Sequence, residues 1–506
     1  MSKTASSLDL NLVRLDRRKS ISLTAQLYES LRDSIQAGLL SKGFRLPSTR
    51  ELAQQLSVSR TTVINAFDQL IAEGYLTAAV GLGTHVSDRL PEESLMARFY
   101  RTEKPTKVKD SIKATNESAN PLSSFGKSLA TADSRNLFVS NEFKPFRASV
   151  PALDEFPVSL WSKIVRKTWR DIDVPSLSYG DVEGYRPLRT AIANYVRGFR
   201  GVRCTDDQVM IVNGTQQAFD VITRLVVEAG DKVLFESPGY PRAKQAFESA
   251  AARLVHVPVD LNGMDIDSAR EHAKNARLAY VTPSHQFPLG VTMTIERRMQ
   301  LIELAMQHQF WILEDDYDSE FRYSHRPIPA LQGLDCGNRT IYVGSFSKVI
   351  YPSLGIGYAI VPPGLLDGFR KVLSMVGRPP SLVDQIVLAE FLDQGHFARH
   401  LRRMRTVHEA RRSALVDALR EQLGHVLQIV GADAGLHCTA ILNPKWSDVI
   451  VANEAAARGI LLRPLSSCFE ANQDSKYCNG LVFGFACSTP SQIRGAIRKI
   501  LPIFDN

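Results

Sequence analysis

Apolar residues recur at helical spacing near the amino terminus, and from about Leu137 they give way to short unbroken apolar runs separated by amphipathic stretches. Leu23, Leu27, Leu31 and Ile35 fall four apart with Gly38 beyond them, which predicts one amphipathic helix and its stop. Ser48-Thr49-Arg50-Glu51 has the form of a capping box, and Leu52 and Leu56 supply the apolar face of a short second helix. Ser59 is placed to cap a third helix whose inward face is Val63, Phe67, Leu70 and Ile71. Two helices joined by a tight connection make a helix-turn-helix. Beyond Gly74, Tyr75-Leu76-Thr77-Ala78 and Thr84-His85-Val86 flank Gly81 and Gly83, the layout of a hairpin wing.

From about Pro91 to Asn136 the periodicity fades, and Lys104-Pro105-Thr106-Lys107 and Asn116-Glu117-Ser118 are polar and breaker-rich, as in a flexible linker. After it come five strand candidates: Val209-Met210-Ile211-Val212, Lys232-Val233-Leu234-Phe235, Leu278-Ala279-Tyr280-Val281, Trp311-Ile312-Leu313 and Ile341-Tyr342-Val343. Their alternation with helical patterns predicts an α/β architecture around a mainly parallel central sheet. Past about Met375, basic helices followed by Gly459-Ile460-Leu461-Leu462 and Leu481-Val482-Phe483-Gly484-Phe485 indicate a smaller carboxy-terminal subdomain. The expected organisation is therefore a DNA-reading unit over 12–88, a linker over 89–136 and an α/β unit over 137–506.

Composition narrows this little further. With 44% hydrophobic and 23% charged residues, most of the 506-residue chain should fold. A net charge of +8 permits a polyanionic partner but is spread too thinly to demand one. The six cysteines show neither C-x-x-C nor Cys/His metal spacing, so free thiols in a reducing cytoplasm are expected and no metal site. No run of 18 apolar residues exists, which argues against a membrane span.

Candidate chemistry clusters just past the strands, where open parallel sheets place their ligands. Thr340-Ile341-Tyr342-Val343 runs into Gly344-Ser345-Phe346-Ser347-Lys348, so a buried strand ends on two hydroxyls and an amine. That layout suits a phosphorylated aldehyde held as a Schiff base, with Ser345 and Ser347 on the phosphate and Lys348 on the carbonyl carbon. Asn213-Gly214-Thr215-Gln216-Gln217 opens a helix after the strand ending at Val212, where backbone N–H groups and the helix dipole hold phosphate. Taken alone, that turn is equally an ordinary strand-to-helix connection. Glu314-Asp315-Asp316-Tyr317 follows Trp311-Ile312-Leu313: a carboxylate there keeps a pyridine nitrogen protonated, and a phenol bonds the ring oxygen. The bland alternative, a solvated acidic loop, loses ground because Lys348 stands in the same pattern.

Together these residues resemble fold-type I pyridoxal-phosphate aminotransferases over about Phe156 to Ala486. The resemblance implies pyridoxal 5'-phosphate as cofactor, with Gly214, Thr215 and Gln216 as its phosphate-binding turn. Tyr240, in Glu236-Ser237-Pro238-Gly239-Tyr240-Pro241, resembles the aromatic residue stacked on the ring. Asp315 resembles the partner of the ring nitrogen, Tyr317 that of the ring hydroxyl, and Lys348 the Schiff-base lysine. His285 and Gln286, in Pro283-Ser284-His285-Gln286-Phe287-Pro288, fall where aminotransferases place an asparagine on the same oxygen. Tyr179 resembles a tyrosine that reaches the phosphate across a dimer interface, so a homodimer is implied. Arg463 lies nearest to where the family carries a carboxylate-binding arginine. One departure stands out: Pro352-Ser353-Leu354-Gly355-Ile356-Gly357-Tyr358 has glycine where the family has a phosphate-pairing arginine. Losing such a contact costs roughly 1.5–3 kcal/mol.

Leu46-Pro47-Ser48-Thr49-Arg50-Glu51-Leu52-Ala53, Val58-Ser59-Arg60-Thr61-Thr62-Val63 and Glu73-Gly74-Tyr75-Leu76 are similar to the winged helix of GntR-type regulators. With the aminotransferase-like half behind them, the whole chain resembles the MocR/GabR subfamily. The resemblance implies double-stranded promoter DNA as partner, read by Arg50, Ser59, Arg60, Thr61 and Thr62, with Gly81 letting the wing approach the minor groove. It also implies a small amino-compound effector that displaces Lys348. A regulator responsive to pyridoxal phosphate itself, or a working aminotransferase that also binds DNA, are the alternatives. Arg399-His400-Leu401-Arg402-Arg403-Met404-Arg405 with Arg411-Arg412 reads mainly as an exposed basic helix face, and secondarily as a DNA contact.

Overall fold

The computed structural model describes residues 13, 15–17, 21–79, 83–88, 90, 122, 126, 144–323, 328–470 and 478–505. Packing divides the chain into two units, Met1–Pro121 and Leu122–Asn506. Apart from residues 90, 122 and 126, the expected linker lies outside the described residues, as does Gly81.

In the first unit, α1 (Leu23–Gln36), α2 (Thr49–Gln55) and α3 (Arg60–Ala72) precede β1 (Leu76–Ala79) and β2 (Gly83–Val86). Leu27, Leu31 and Ile35 of α1 bury against Leu52 of α2 and Val63, Phe67 and Leu70 of α3, so the four-residue spacing became a shared core. The capping box before α2 is complete: Glu51 N donates to Ser48 Oγ at 3.2 Å and Ser48 N to Glu51 Oε2 at 2.9 Å. Ser59 caps α3 by accepting from Thr62 N at 3.0 Å. β1 and β2 pair antiparallel, Leu76 opposite Val86. Tyr75, expected in the first wing strand, instead closes α3 by donating its N–H to Leu70 O at 2.9 Å.

The second unit is built on β3 (Val209–Asn213), β4 (Lys232–Ser237), β5 (Arg253–Asp260), β6 (Gly263–Met264), β7 (Ala276–Val281), β8 (Trp311–Asp316), β9 (Thr340–Ser345) and β10 (Ile356–Ile360). They form one eight-stranded sheet in the order β3-β10-β9-β8-β7-β4-β5-β6. β9, β8, β7, β4 and β5 run parallel, and β10 is antiparallel to both its neighbours. Alternate strand residues face opposite sides. Leu278 and Tyr280 bury with Phe219 and Phe247, while Ala279 and Val281 bury with Leu301 and Ile302, so helices cover both faces.

Before and along this sheet run α4 (Val158–Asp171), α5 (Arg186–Arg200), α6 (Gly214–Val226), α7 (Pro241–Ser249), α8 (Ile266–His272), α9 (Ile295–His308) and α10 (Leu331–Leu334). After it come α11 (Leu366–Val376), α12 (Leu382–Asp393), the long α13 (His396–Leu423), and a four-stranded antiparallel sheet. That sheet comprises β11 (Leu427–Val430), β12 (His437–Leu442), β13 (Arg463–Pro464) and β14 (Gly480–Gly484), ordered β11-β12-β14-β13, with α14 (Asp448–Ala457) and α15 (Pro490–Ile500). The apolar segment 459–462 is a turn and extended chain leading into β13. Residues near 146, far away in sequence, join this subdomain: Gly484 N donates to Phe146 O at 2.9 Å.

Part of the basic stretch of α13 bonds within its own unit, while Arg399, Arg402 and Arg403 are exposed. Arg411 reaches Asp154 at 2.6 Å and Ala486 O at 2.7 Å, Arg405 donates to Glu320 O at 2.8 Å, and Arg403 pairs with Glu155. Leu401 and Met404 turn inward as their spacing predicts. No described helix is long and apolar enough to cross a membrane. Ser48→Ala removes one half of the capping box and is expected to destabilise the first unit by about 1 kcal/mol, read as a lower urea midpoint of its unfolding transition.

Candidate functional site: a cleft at the strand ends of the large sheet

The carboxyl ends of β3, β8 and β9 open into a cleft of about 620 Å³. Gly214, Thr215, Gln216, Tyr240, Asp315, Tyr317, Ser345, Ser347 and Lys348, scattered over more than a hundred positions, all line it. Parallel β8 and β9 are in register with Asp315 opposite Val343, so the acidic loop and the lysine loop leave the sheet side by side.

Beyond β9, Phe346 is buried and its carbonyl accepts from Ile350 N at 2.8 Å, while Ser347 N folds back onto Ser345 Oγ at 3.1 Å. This tight turn aims Lys348 into the cleft. Burial pushes its ammonium down to about 8, against the opposing pull of the Asp318 and Asp315 carboxylates. About a tenth of the amine is therefore neutral at pH 7, enough for a nucleophile.

Asp315 sits at the end of β8, where burial raises its carboxyl to about 7. Oδ2 accepts from Tyr280 Oη at 2.7 Å, and Oδ1 is buried with no hydrogen-bond partner among the described residues. An orphaned acceptor at a cleft wall is matched by a cationic N–H such as a protonated pyridine nitrogen, so the residues present fit a pyridoxal-type ring. Burial also lifts the Tyr317 phenol well above its usual value, so it stands as a neutral O–H.

At the other end of the cleft, α6 begins at Gly214 directly after β3, leaving its first-turn N–H groups available to an anion. Gln216 Nε2 donates to Arg242 O at 3.2 Å, which ties this turn to the start of α7. Gly355 also lines the cleft, in a left-handed conformation (φ +66°) where an added Cβ would meet only Ser353 O at 4.0 Å. A side chain would have room there but would strain the backbone by roughly 1–2 kcal/mol.

Some expectations change. His285 and Gln286 do not line the cleft; Phe287 does, its ring edge-on to Tyr240 at 5.3 Å. Gln286 is a loop brace, donating to Pro238 O at 2.8 Å and Phe287 O at 2.7 Å and accepting from Leu289 N at 3.1 Å. His285 lies behind Tyr317, its Nδ1 3.1 Å from the phenol oxygen. The short buried motif has room for one side chain on the cleft, and the apolar ring took it. Tyr179, expected to act across a dimer interface and not in its own chain's cleft, lies outside that cleft, 75% exposed, with the Arg378 guanidinium 4.0 Å above its ring. Arg147, Arg242 and Arg463 line the cleft as well. Arg147 and Arg242 had no strand-end pattern to mark them, and Arg147 arrives on a segment whose pairing with β14 is invisible in sequence. Arg463 lies 5.9 Å over Phe287.

In the first unit, Arg50, Ser59, Arg60 and Thr61 are exposed and Thr62 is half-buried. Arg60 Nε lies 3.4 Å from Thr49 Oγ1, so the starts of α2 and α3 adjoin and Arg50, Arg60 and Thr61 share an open face. The Ser59 hydroxyl is occupied in the cap, 2.8 Å from Thr62 Oγ1.

The two units match separate families. Residues 23–86 match the bacterial regulatory proteins of the gntR family, and residues 161–499 match aminotransferase class I and II. A probable rhizopine catabolism regulatory protein, MocR, of Rhizobium meliloti is 39% identical over 97% of this chain and 95% of its own length. The pyridoxine biosynthesis transcriptional regulator PdxR of Corynebacterium glutamicum is 30% identical over 96% of this chain and 97% of its own. Among solved structures, the α-aminoadipate aminotransferase LysN of Thermus thermophilus, in complex with N-(5'-phosphopyridoxyl)-L-leucine, superposes with a TM-score of 0.68 at 26% identity. That likeness covers 74% of this chain and 96% of LysN. A gntR-type helix-turn-helix and a fold-type I aminotransferase fold in one chain, matched from end to end by such regulators, place it in the MocR-type branch of the GntR family.

Proposed function

We propose that this protein is a cytoplasmic transcriptional regulator that binds double-stranded promoter DNA and senses an amino compound at pyridoxal 5'-phosphate carried on Lys348. The observation that carries the reading is the cleft itself: a desolvated amine and an orphaned Asp315 oxygen face one space, in a chain that also holds a helix-turn-helix. When bound, the cofactor supplies a carbonyl that condenses reversibly with primary amines and a ring that withdraws electrons. Gly214, Thr215, Gln216, Ser345 and Ser347 would hold its phosphate, with Tyr240 beside the ring, Asp315 for the ring nitrogen and Tyr317 for the ring oxygen. Arg147 and Arg242 bring positive charge to a cleft that lacks an arginine at Gly355. With Arg463 on the same rim, an effector bearing a carboxylate is favoured over a neutral amine.

A homodimer fits the exposed surface around Tyr179. Val174 and Leu177, close by in the chain, are also exposed, and Leu177 and Tyr179 line a second cavity of about 740 Å³ with Arg378. In a two-fold dimer that covers this surface, Tyr179 is the residue assigned to the partner's cleft by the family resemblance. On the first unit, Arg50, Arg60 and Thr61 form the DNA-reading face, with Ser59 and Thr62 fixing the helix start.

Two effector readings remain distinct, an amino compound and pyridoxal phosphate itself; the name of the Corynebacterium relative favours the second. A working aminotransferase is the other reading, favoured by Lys348 and Asp315 both titrating near neutrality, as proton-moving groups do. Keto acid released over many cycles from an amino-acid panel sinks the pure-regulator reading, and a single spectral change without turnover sinks the enzyme.

Borohydride reduction of cofactor-loaded protein followed by peptide mapping is expected to label Lys348 alone, and Lys348→Ala to abolish the label. A label elsewhere overturns the assignment. Because burial lowers the lysine's pKa, labelling should climb as pH rises through about 8 rather than near the ordinary value of 10.5. Arg60→Ala should weaken binding to promoter DNA about tenfold or more in a mobility-shift assay, with cofactor absorbance unchanged.

A further inference from the structure

Behind Tyr317, on the side away from the cleft, His285 and Asp318 form a buried pair that the reading above leaves without a role. His285 Nδ1 lies 3.0 Å from both Asp318 carboxylate oxygens and 3.1 Å from Tyr317 Oη. Asp318 Oδ2 also accepts from Leu436 N at 3.2 Å, at the edge of the small subdomain. Gly435 (φ +70°) packs directly on the pair: a Cβ there would fall 2.1 Å from His285 Cε1 and 2.5 Å from Asp318 Oδ2. The site is close-packed from both subdomains.

The geometry fixes where one hydrogen sits. A carboxylate only accepts, so the nitrogen facing both its oxygens, Nδ1, must carry the hydrogen and donate it to Asp318. Tyr317 then cannot donate to that nitrogen. Among the described residues no other acceptor lies within hydrogen-bond reach of its hydroxyl, so the phenol O–H turns into the cleft. His437, ring centroid 4.7 Å from that of His285, is tied to Pro288 O at 3.2 Å and takes no part. His285, Asp318 and His437 bring ligand-type atoms within 4.8 Å of one another; His285 Nδ1 and His437 Nε2 are taken by the contacts above, while His285 Nε2 and His437 Nδ1 are buried without a hydrogen-bond partner among the described residues.

We propose that Asp318, through His285, is a positioning residue that makes Tyr317 an obligatory donor into the cleft, and so sets the protonation behaviour of whatever anionic ring oxygen it meets. This rests on the reading that the cleft holds pyridoxal phosphate. The charged and titratable groups facing Tyr317 are Asp318 and His285 behind it, and Asp315, Glu236 and Tyr240 around it. A donor on the ring oxygen stabilises its negative charge and loosens its grip on the proton shared with Lys348 Nζ. Turning the donor away tightens that grip, so the pH midpoint of the visible absorbance rises.

The test is a pH titration of the visible absorbance of full-length, cofactor-loaded protein. Asp318→Leu keeps roughly the volume of the side chain but offers neither donor nor acceptor, so His285 Nδ1 is free to accept from Tyr317. The midpoint is expected to rise by about one to two pH units, in the same direction as Tyr317→Phe and no further. Replacing His285 as well, in Asp318→Leu with His285→Phe, removes the competing acceptor and should return the midpoint towards wild type, a rescue that simple loss of packing does not produce. The proposal fails if Asp318→Leu leaves the midpoint in place while Tyr317→Phe moves it, or if the double variant stays with the single one. Loss of any cofactor band in wild type overturns both this inference and the reading beneath it, whereas a normal wild-type band with an unmoved Asp318→Leu midpoint overturns this inference alone.

Discussion

Desolvation of one amine beside several carboxylates at the edge of a buried parallel sheet is the constraint on which the rest of the second unit depends. Lys348 and Asp315 lie in a region that water does not reach freely, and each bears on the other's proton affinity, as the charge of Asp318 does on both. Burial disfavours the charged form of both Lys348 and Asp315. The carboxylates of Asp318 and Asp315 oppose burial at Lys348, and the Tyr280 hydrogen bond with the charge of Lys348 opposes it at Asp315, so both stay close enough to neutrality to exchange protons, which suits chemistry and costs stability.

The scaffold offsets that cost with a second layer of polar bonds beneath the cleft. Asp316, next to the cleft carboxylate, is held by Arg200 Nε at 2.8 Å and Tyr342 Oη at 2.7 Å, and Arg200 also donates to Ser284 at 2.6 Å. Glu314 accepts from Leu331 N and Gln332 N at 2.9 and 2.8 Å. These bonds pin the loops on which the cleft residues stand. The run Glu314-Asp315-Asp316 thus divides its labour by strand alternation: Asp315 faces one side of the sheet, its neighbours the other. Three adjacent acids that look alike in sequence do different things because consecutive side chains point in opposite directions.

The small subdomain contributes through backbone as much as through side chains. Leu436 N and Gly435 pack behind the cleft on Asp318 and His285, and the Phe146–Gly484 pairing brings residues from the two ends of the unit together, with Phe146 and Arg147 lining the cleft along with Leu461, Leu462 and Arg463. A ligand there touches both subdomains, so any preference for one arrangement of them is felt as binding energy.

Hydrophobic periodicity was enough to locate α1 to α3 and the strands β3, β4, β7, β8 and β9, but not β5, β6 or β10, because burial on one or both faces is a local property of residue order. Capping at Ser48 and Ser59 was legible for the same reason: each bond spans three residues. Strand ends followed by Lys348, Asp315 and Tyr317 could be grouped because an open parallel sheet collects its strand ends at one edge. What residue order did not contain was which neighbour in a motif would face the cleft, so Phe287 rather than His285 or Gln286 came to line it. It also did not contain the arrival of Arg147 on a distant segment, or the Asp318–His285–Tyr317 hydrogen bonds. Those depend on contacts between residues tens to hundreds of positions apart, whose geometry exists only once both subdomains have packed.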